Sequence, residues 1–168
     1  RKLVEALQCQ PDADRRWLLT AGSASMLVAL SGCQSVLSLD QTEGSSGSAE
    51  EILADIRAQN GLSALSPDTT LERAARQQAG YMALSGKMEH RTGWGRDFAT
   101  RMKSNGIKGA AAENIAHGRW EPGELMRIWM ASAPHRRNML DPRFNRFGLG
   151  NAADGNSGRR YWALVLGS

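Results

Sequence analysis

The chain has 168 residues, with 21 Lys and Arg against 17 Asp and Glu, which gives a formal net charge of +4. Hydrophobic residues make up 41% of it and charged residues 23%, a balance that is typical of a globular protein and excludes a disordered or fibrous chain. From Cys33 onward, 17 basic residues face 14 acidic ones, which leaves +3. This charge is too mild to favour nucleic acid, and we expect no nucleic-acid partner.

The first 33 residues have the pattern of a bacterial export signal. Arg15 and Arg16 precede the apolar run WLLTAGSASMLVAL, which is shorter than the roughly 20 residues that span a bilayer. The run ends in LSGC, residues 30–33, which resembles the lipobox of bacterial lipoproteins, where the chain is cut before a cysteine that then carries the lipid. We therefore predict a signal peptide with a lipobox at residues 1–32 and lipidation of Cys33. An uncleaved anchor helix is the alternative.

A lipid on Cys33 predicts a protein of the bacterial cell envelope, on the outer membrane or the periplasmic face if the source has two membranes. Cys33 is the last cysteine in the chain, so the exported domain has no disulfide and depends on its core for stability. The segment that follows, QSVLSLDQTEGSSGS, is polar and rich in Gly and Ser. It predicts a flexible tether over residues 33–48 and a folded domain over 49–168.

Apolar residues at helical spacing predict four helices in that domain. The first covers residues 49–60, and the second has Ser66 as its N-cap, Pro67 at its first helical position and Gly86 after its end. The third covers WGRDFATRMKSNG, residues 94–106. The fourth begins at Pro122 and ends before His135.

Two segments near the C-terminus change to the period of a strand. Residues 145–152 and 160–166 read as strands joined by the turn sequence DGNSG, and AAENIAHG, residues 111–118, is the third predicted strand. In YWALVLG both alternating faces are apolar, so both need a cover of helices. The predicted fold class is α+β, an α-β-α sandwich in which helices cover both faces of a small antiparallel sheet.

Three polar residues stand out as candidates for chemistry. Glu113 interrupts an apolar strand, where a lone charge is costly; an ion pair with one of the arginines explains it as well as a functional site does. His90 and His135 each follow a predicted helix, in loops of the kind on which sites are built. Their spacing alone does not identify a metal pair, because gaps of more than 20 residues carry no local signature.

Four motifs occur in one order: MEHR, AAENIAHG, WMASAPHRRNMLDPRFNRFGLG and YWALVLG. Together they closely resemble the CAP superfamily of cysteine-rich secretory proteins, antigen 5 and pathogenesis-related 1, in its disulfide-free bacterial branch (SCP-like extracellular domains). The similarity covers residues 49–167. The resemblance implies an α-β-α sandwich, in agreement with the periodicity.

The resemblance also implies a central cleft in which two histidines and acidic residues hold a divalent cation, often zinc. His90 matches the first histidine of the family pattern, Glu113 the glutamate of the ENI motif and His135 the second histidine. Many relatives carry a second cleft glutamate three residues after a helix-four tryptophan, whereas Ser132 occupies that position after Trp129 here. The implied metal set is therefore His90, Glu113 and His135 plus solvent, with zinc the first candidate.

Two further residues lie near these motifs. Ser132 and His135 are three residues apart and resemble a nucleophile and its base, but a small polar residue in the last turn of the fourth helix is the simpler interpretation of Ser132. His117 follows the ENI segment, and it and Ser132 are candidates for the rim of the cleft. We interpret His117 as an exposed histidine at the end of a strand.

Two classes of function remain open from the sequence. The first, which the missing second glutamate favours, is a lipid-anchored binding module, expected to be a monomer, whose cleft binds a metal and a small or hydrophobic ligand without turnover. The second is a metal-assisted hydrolase acting on peptide or envelope polymer. The membrane is the expected partner through the lipid on Cys33. Envelope lipid or polysaccharide is a further candidate partner for a group of arginines, although a solvated surface is the favoured interpretation: Arg127, Arg136, Arg137, Arg143 and Arg146.

Overall fold

The computed structural model describes residues 39–155 and 157–168. The predicted signal peptide, its lipobox, Cys33 and the first part of the predicted tether lie outside the described residues. Within the described ranges, no helix combines the length and the apolar character that a membrane crossing requires.

The described domain contains five α-helices, one 3₁₀ turn and five strands. The helices are α1 (Ser46–Gln59), α2 (Thr69–Ser85), α3 (Phe98–Ser104), α4 (Pro122–Ala131) and α5 (Ala133–Met139), and the 3₁₀ turn is Leu39–Gln41. The strands are β1 (Thr42–Gly44), β2 (Ser66–Pro67), β3 (Ala111–Gly118), β4 (Arg146–Ala153) and β5 (Arg160–Gly167).

The sheet has the order β1-β4-β5-β3 and is antiparallel along that path, while β2 pairs with β4 in parallel. β5 lies between β3 and β4 and pairs with both along its whole length. β3 therefore forms one edge of the described sheet and pairs with β5 alone. This edge carries Glu113.

Helices cover both faces of the sheet, which confirms the predicted sandwich. On one face, Trp162, Leu164 and Leu166 of β5 pack in one buried cluster with side chains of α1, α4 and α5. On the other, Ala163 and Val165 of β5 pack with α2 and α3. The apolar character of both faces of β5 is thus explained, because each alternating set meets its own layer of helices.

α2 lies against β4 at a distance that only glycine permits. A Cβ on Gly148 would lie 2.0 Å from the backbone nitrogen of Glu72, and one on Gly150 would lie 2.5 Å from that of Arg76. Both glycines face α2. Phe147, which precedes Gly148 in β4, faces the core on the opposite side of the sheet. The close contact fixes α2, whose C-terminal end leads into the loop that carries His90.

The domain begins earlier than the sequence predicted. The tether was expected to reach residue 48, but β1 pairs with β4 and α1 begins at Ser46. Ser46 is buried; its backbone N–H donates to Glu72 and its hydroxyl accepts from Leu149 N–H. Polar and small residues at 42–48 thus serve as an edge strand and a helix start, because tertiary hydrogen bonds replace the hydrophobic pattern that the sequence lacks.

The predicted starts of the second and third helices are also wrong. Ser66 and Pro67 form β2, and Asp68 is the N-cap of α2, where its carboxylate accepts from the backbone N–H groups of Thr70 and Leu71. The third helix begins only at Phe98, after the N-cap Asp97. The residues before it form a turn whose glycines have positive φ, at 157° for Gly93 and 68° for Gly95, and such angles end helical geometry.

The segment after the fourth predicted helix is helical rather than a loop. α4 ends at Ala131, Ser132 adopts an extended conformation, and α5 then begins with Pro134 in its first turn. His135 therefore lies in the first turn of a fifth helix and does not follow the fourth one in a loop. The sequence predicted one helix that ends before His135, whereas the structure has a second helix that begins at Ala133.

Candidate functional site

Glu113 lies on β3 with its side chain only 2% exposed, and both of its carboxylate oxygens are engaged. Oε2 accepts a hydrogen bond from Arg101 Nη2 at 2.5 Å, and Oε1 lies 2.9 Å from His90 Nδ1. Of the two interpretations of Glu113 that the sequence left open, the ion pair with an arginine is confirmed, and a functional role stays a prediction. Glu113 forms a buried ion pair with an arginine, and it also contacts a predicted site histidine.

Arg101 organises this end of the sheet. Its side chain is 2% exposed, and besides Glu113 its Nη1 donates to the backbone carbonyls of His90 and Arg96, at 3.2 and 2.8 Å. A buried guanidinium needs acceptors for its N–H groups, because its charge cannot be lost by deprotonation. Both terminal nitrogens have such acceptors, whereas Nε is buried and has no partner among the described residues. Arg101 therefore ties α3, the His90 loop and β3 to one point.

The backbone of the His90 loop is held from a second side as well. The amide of Gln78, fully buried on α2, donates to the carbonyl of Glu89 at 2.6 Å. Two buried side chains therefore fix the main chain next to and at His90, while the imidazole itself is 55% exposed. The ring is reachable from solvent on a constrained backbone.

His135 is positioned by a pair of asparagines. Asn114 is fully buried next to Glu113 on β3, and its amide donates to the carbonyl of His135 at 3.1 Å. Asn138, one turn further along α5, donates to Asn114 Oδ1 at 2.9 Å. These contacts fasten the first turn of α5 to the free edge of β3, beside Glu113.

The imidazole of His135 is buried enough to change its chemistry. Burial, and secondly the charge of nearby His90, lower the pKa of His135 below its ordinary value of 6.5. Its Nδ1 is buried and has no hydrogen-bond partner in the described part of the chain. At neutral pH His135 is therefore a neutral imidazole with an unpaired buried nitrogen, next to the His90–Glu113 pair.

His90, Glu113 and His135 thus come from three separate segments to one place, which we call the central site. Among the described residues, no three His, Cys, Asp or Glu side chains have the arrangement of a metal-binding group. The carboxylate of Glu113 is shared between Arg101 and His90, and a cation that bound it directly would lie beside a guanidinium.

His117 does not belong to the central site. Its predicted place at the end of a strand is confirmed, whereas the prediction that it is exposed is wrong. Its Nε2 lies 2.8 Å from Asp154 Oδ2, and its ring stacks on Tyr161 with centroids 4.2 Å apart. Hydrogen bonds with His117 and then Ser157 hold the pKa of Asp154 below its ordinary value. His117 is half-buried at the opposite end of β3 from Glu113, in a pair of its own.

Ser132 is not in the last turn of α4, where the sequence placed it. It joins α4 to α5, and its carbonyl accepts from Arg136 N–H at 2.8 Å. Within the described residues, His135 Nδ1 has no hydrogen-bond partner, so it does not contact the Ser132 hydroxyl. The arrangement gives no support to a Ser132–His135 dyad.

The residues that sequence reasoning missed are Arg101, Asn114 and Asn138. One signal was available for Arg101: it lies three residues after Phe98 and next to Met102, on the helical stripe that packs on the core. A basic residue on an apolar stripe needs a buried anion, and Glu113 was the unpaired carboxylate. The two asparagines lie 24 residues apart, and no local pattern links them.

Most of the predicted arginine patch is engaged in local contacts. Arg143 pairs with Asp141 at 2.6 Å, Arg146 pairs with Asp68 at 3.0 Å, and Arg136 donates to the carbonyl of Met130. These contacts favour the interpretation as a solvated surface.

Comparison with known proteins agrees with this architecture. The Bacillus subtilis protein YkwD is 37% identical over 102 residues, which cover 60% of this chain and 39% of that protein. The chain thus spans well under half the length of this relative. Among solved structures, an outer surface protein from Borrelia burgdorferi has a TM-score of 0.63 at 18% identity, over 71% of this chain and 88% of its own. An extracellular protein with an SCP domain from Bacillus anthracis has a TM-score of 0.64 at 21% identity, over 73% of this chain and 40% of its own.

Those two structures share the fold. The family is shown by the sequence itself, because residues 51–166, from the middle of α1 to the end of β5, match the cysteine-rich secretory protein (CAP) family. This range contains the three residues of the central site and all the side chains that hold them. The chain is a member of the CAP superfamily.

Proposed function

We propose that this CAP domain is a lipid-anchored, extracytoplasmic binding module whose central site holds a divalent metal through His90 and His135, with zinc the first candidate. The observation that carries the proposal is the 2.9 Å contact between His90 Nδ1 and Glu113 Oε1. A neutral His90 that donates Nδ1–H to this carboxylate keeps its Nε2 lone pair free and turned away from Glu113. Carboxylates that orient a histidine in this way are common behind metal ligands.

His135 supplies the second ligand in this proposal. Metals bind the neutral form of imidazole, and burial favours that form at His135. Imidazole nitrogen is a preferred ligand of zinc, and two protein ligands leave positions open for water or for a ligand of the module. A bound metal would supply a Lewis-acidic centre at this point. A small or hydrophobic ligand for the site stays a prediction.

Glu113 has an orienting role in the proposal, since both of its oxygens are engaged. A hydrolase of the kind that the sequence left as an alternative needs a general base within reach of a metal-bound water. A Glu113 held by Arg101 and His90 is poorly placed for that task. A peptidase screen with and without chelator tests the alternative directly, because chelator-sensitive cleavage would establish it.

The cellular location is the second part of the proposal. Two of the structurally similar proteins are described as an outer surface protein and an extracellular protein, and the LSGC sequence at Cys33 provides a lipid-attachment site. Replacing Cys33 by Ser is expected to move the protein from the membrane fraction to the soluble fraction. A variant that still sediments with membranes would show that an uncleaved apolar helix holds it.

Zinc binding is tested by equilibrium dialysis of four proteins. The wild type is expected to bind zinc at one equivalent per domain, and His90→Ala and His135→Ala are expected to lose that binding while keeping the fold. His117→Ala is the matched control, because its ring also lies next to a carboxylate but outside the central site. Stoichiometric binding that survives removal of both His90 and His135 would overturn the proposal.

A further inference from the structure

Three large apolar side chains are exposed in the described part of the chain, and all three lie within eleven residues of one another. Leu84, in the last turn of α2, is 48% exposed, Met88 is 51% exposed and Trp94 is 95% exposed. The backbone N–H of Arg96 donates to Gly93 O, which closes a turn with Trp94 at its tip. Several large exposed apolar groups in one short segment favour a partner, whereas scattered single ones need no explanation.

The charges of this segment indicate the chemistry of that partner. Lys87 and Arg91 are exposed between the apolar residues, and Glu89 is the one acidic residue from Gly86 to Arg96. Tryptophan with aliphatic and basic neighbours is the composition that favours the boundary between lipid headgroups and acyl chains. The basic residues would add attraction to anionic lipid.

Leu39, the first described residue, lies against α2, the helix that carries Leu84. The carbonyl of Leu39 accepts from Arg76 Nη2 of α2 at 2.7 Å. Leu84 follows Arg76 by eight residues, or about 12 Å along the helix axis. Gln41 and Leu84 line one surface groove. Leu39 and Leu84, the first of the three exposed apolar residues, are therefore on neighbouring parts of the surface.

The distance from Leu39 to the lipid is limited by covalent geometry. Five residues separate Cys33 from Leu39, and a fully extended chain covers at most about 22 Å over these six steps. A lipid on Cys33 would hold Leu39, and with it the end of α2, close to the membrane surface.

We propose that the segment from Leu84 to Trp94, which we call the Trp94 surface, is a membrane-contact surface that rests on the bilayer in which the lipid of Cys33 is inserted. This surface depends on the lipid anchor proposed above. It gives the domain a fixed side toward the membrane, in place of free rotation on a tether. His90 belongs to the same segment, so the loop of the central site lies beside the membrane.

The test uses the full, processed lipoprotein in vesicles of phosphatidylcholine and phosphatidylglycerol whose acyl chains carry bromine, a short-range quencher of tryptophan fluorescence. The processed protein has four tryptophans. Trp129 and Trp162 are buried, and Trp120 is partly buried, so Trp94 is the solvent-exposed one. The Trp94 signal is the difference between wild type and Trp94→Phe. Its intensity is expected to fall at least about twofold in brominated relative to ordinary vesicles, because a ring at the headgroup–acyl boundary is within reach of the bromines.

The matched control is Trp120→Phe, which is expected to keep the quenching of the Trp94 signal. Flotation of the same vesicles separates the two proposals. Protein that floats with an unquenched Trp94 signal would overturn the Trp94 surface and leave the lipid anchor intact. Protein that does not float would overturn the anchor at Cys33, and the Trp94 surface with it.

Discussion

β3 carries one member of each of two histidine–carboxylate pairs, and the two pairs differ in almost everything except their distance. His90 Nδ1 lies 2.9 Å from Glu113, and His117 Nε2 lies 2.8 Å from Asp154. Glu113 is 2% exposed and bound by a buried arginine, whereas His117 and Asp154 are 23% and 31% exposed. Glu113 and His117 are four residues apart and so lie on the same face of the strand.

The difference teaches that the surroundings of the carboxylate decide what such a pair can do. In the His117–Asp154 pair both side chains are partly exposed to solvent. This pair is therefore a local link across the end of the sheet. At Glu113 the buried carboxylate is fixed by Arg101, whereas the imidazole of His90 is exposed to solvent. The carboxylate is thus constrained, and the imidazole is accessible. The proposed role of His90 as a metal ligand supported by Glu113 rests on this difference.

The largest effect is expected from removing the cation behind Glu113. Arg101→Met leaves a buried carboxylate without its charge partner, and we expect the free energy of unfolding to fall by about 3–5 kcal/mol. Urea denaturation measures it. Arg143→Met is the control, because Arg143 also pairs with a carboxylate, that of Asp141, but is 70% exposed. This variant should have little effect on the free energy of unfolding.

The double variant Arg101→Met with Glu113→Leu sharpens this prediction. It removes both charges from the interior and should recover most of the stability that the single variant loses. A double variant as unstable as Arg101→Met alone would show that Arg101 acts through its contacts with the His90 loop and not through Glu113.

The next effect concerns zinc affinity. Glu113→Asp keeps the negative charge for Arg101 but is one methylene too short to reach both partners, so His90 loses its orienting contact. We expect zinc affinity to fall about 10- to 100-fold, the usual range for such supporting groups. Calorimetric titration compares it with Asp154→Asn, which should bind zinc like wild type. Equal affinities for all three proteins would contradict an orienting role for Glu113.

A smaller effect is expected at the other end of β3. His117→Ala removes a ring stacked on Tyr161 with an interplanar angle of 13°, and should lower the free energy of unfolding by about 1 kcal/mol. Its zinc affinity should not change. A loss of zinc binding in this variant would mean that the two pairs are coupled through β3.

The smallest effect is a pH dependence that only the central site should show. The pKa of His135 is lowered below 6.5 in the folded state, mainly by burial. The unfolded chain therefore binds more protons there, so the contribution of His135 to stability is complete above pH 6.5 and is lost as the pH falls toward the lowered pKa. In the presence of chelator, the stability of His135→Asn should vary less with pH in this window than that of wild type. Parallel curves for the two proteins would show that His135 is not protected from protonation.

The proposed lipid anchor and the proposed Trp94 surface differ from the central site in how they arise from the sequence. LSGC and the cluster of exposed apolar residues are local features, whereas each residue of the central site depends on partners that are distant in the chain. Arg101 and Glu113 are 12 residues apart, and Asn114 and His135 are 21 residues apart. No periodicity connects such residues, so only the family resemblance placed the three site residues together.

The sequence by itself determined the parts of the protein that depend on local pattern. The alternation in β5 and the apolar stripe of α2 predicted a sheet covered on both faces, because burial of a two-sided strand needs two layers of helices. Only the tertiary structure decided the rest. In the structure, residues 42–48 belong to the sheet and to α1, and Pro134 lies at the start of a helix. Glu113 forms its ion pair with Arg101. In each case the deciding energy comes from hydrogen bonds and ion pairs between distant segments, and these form only when the layers have packed.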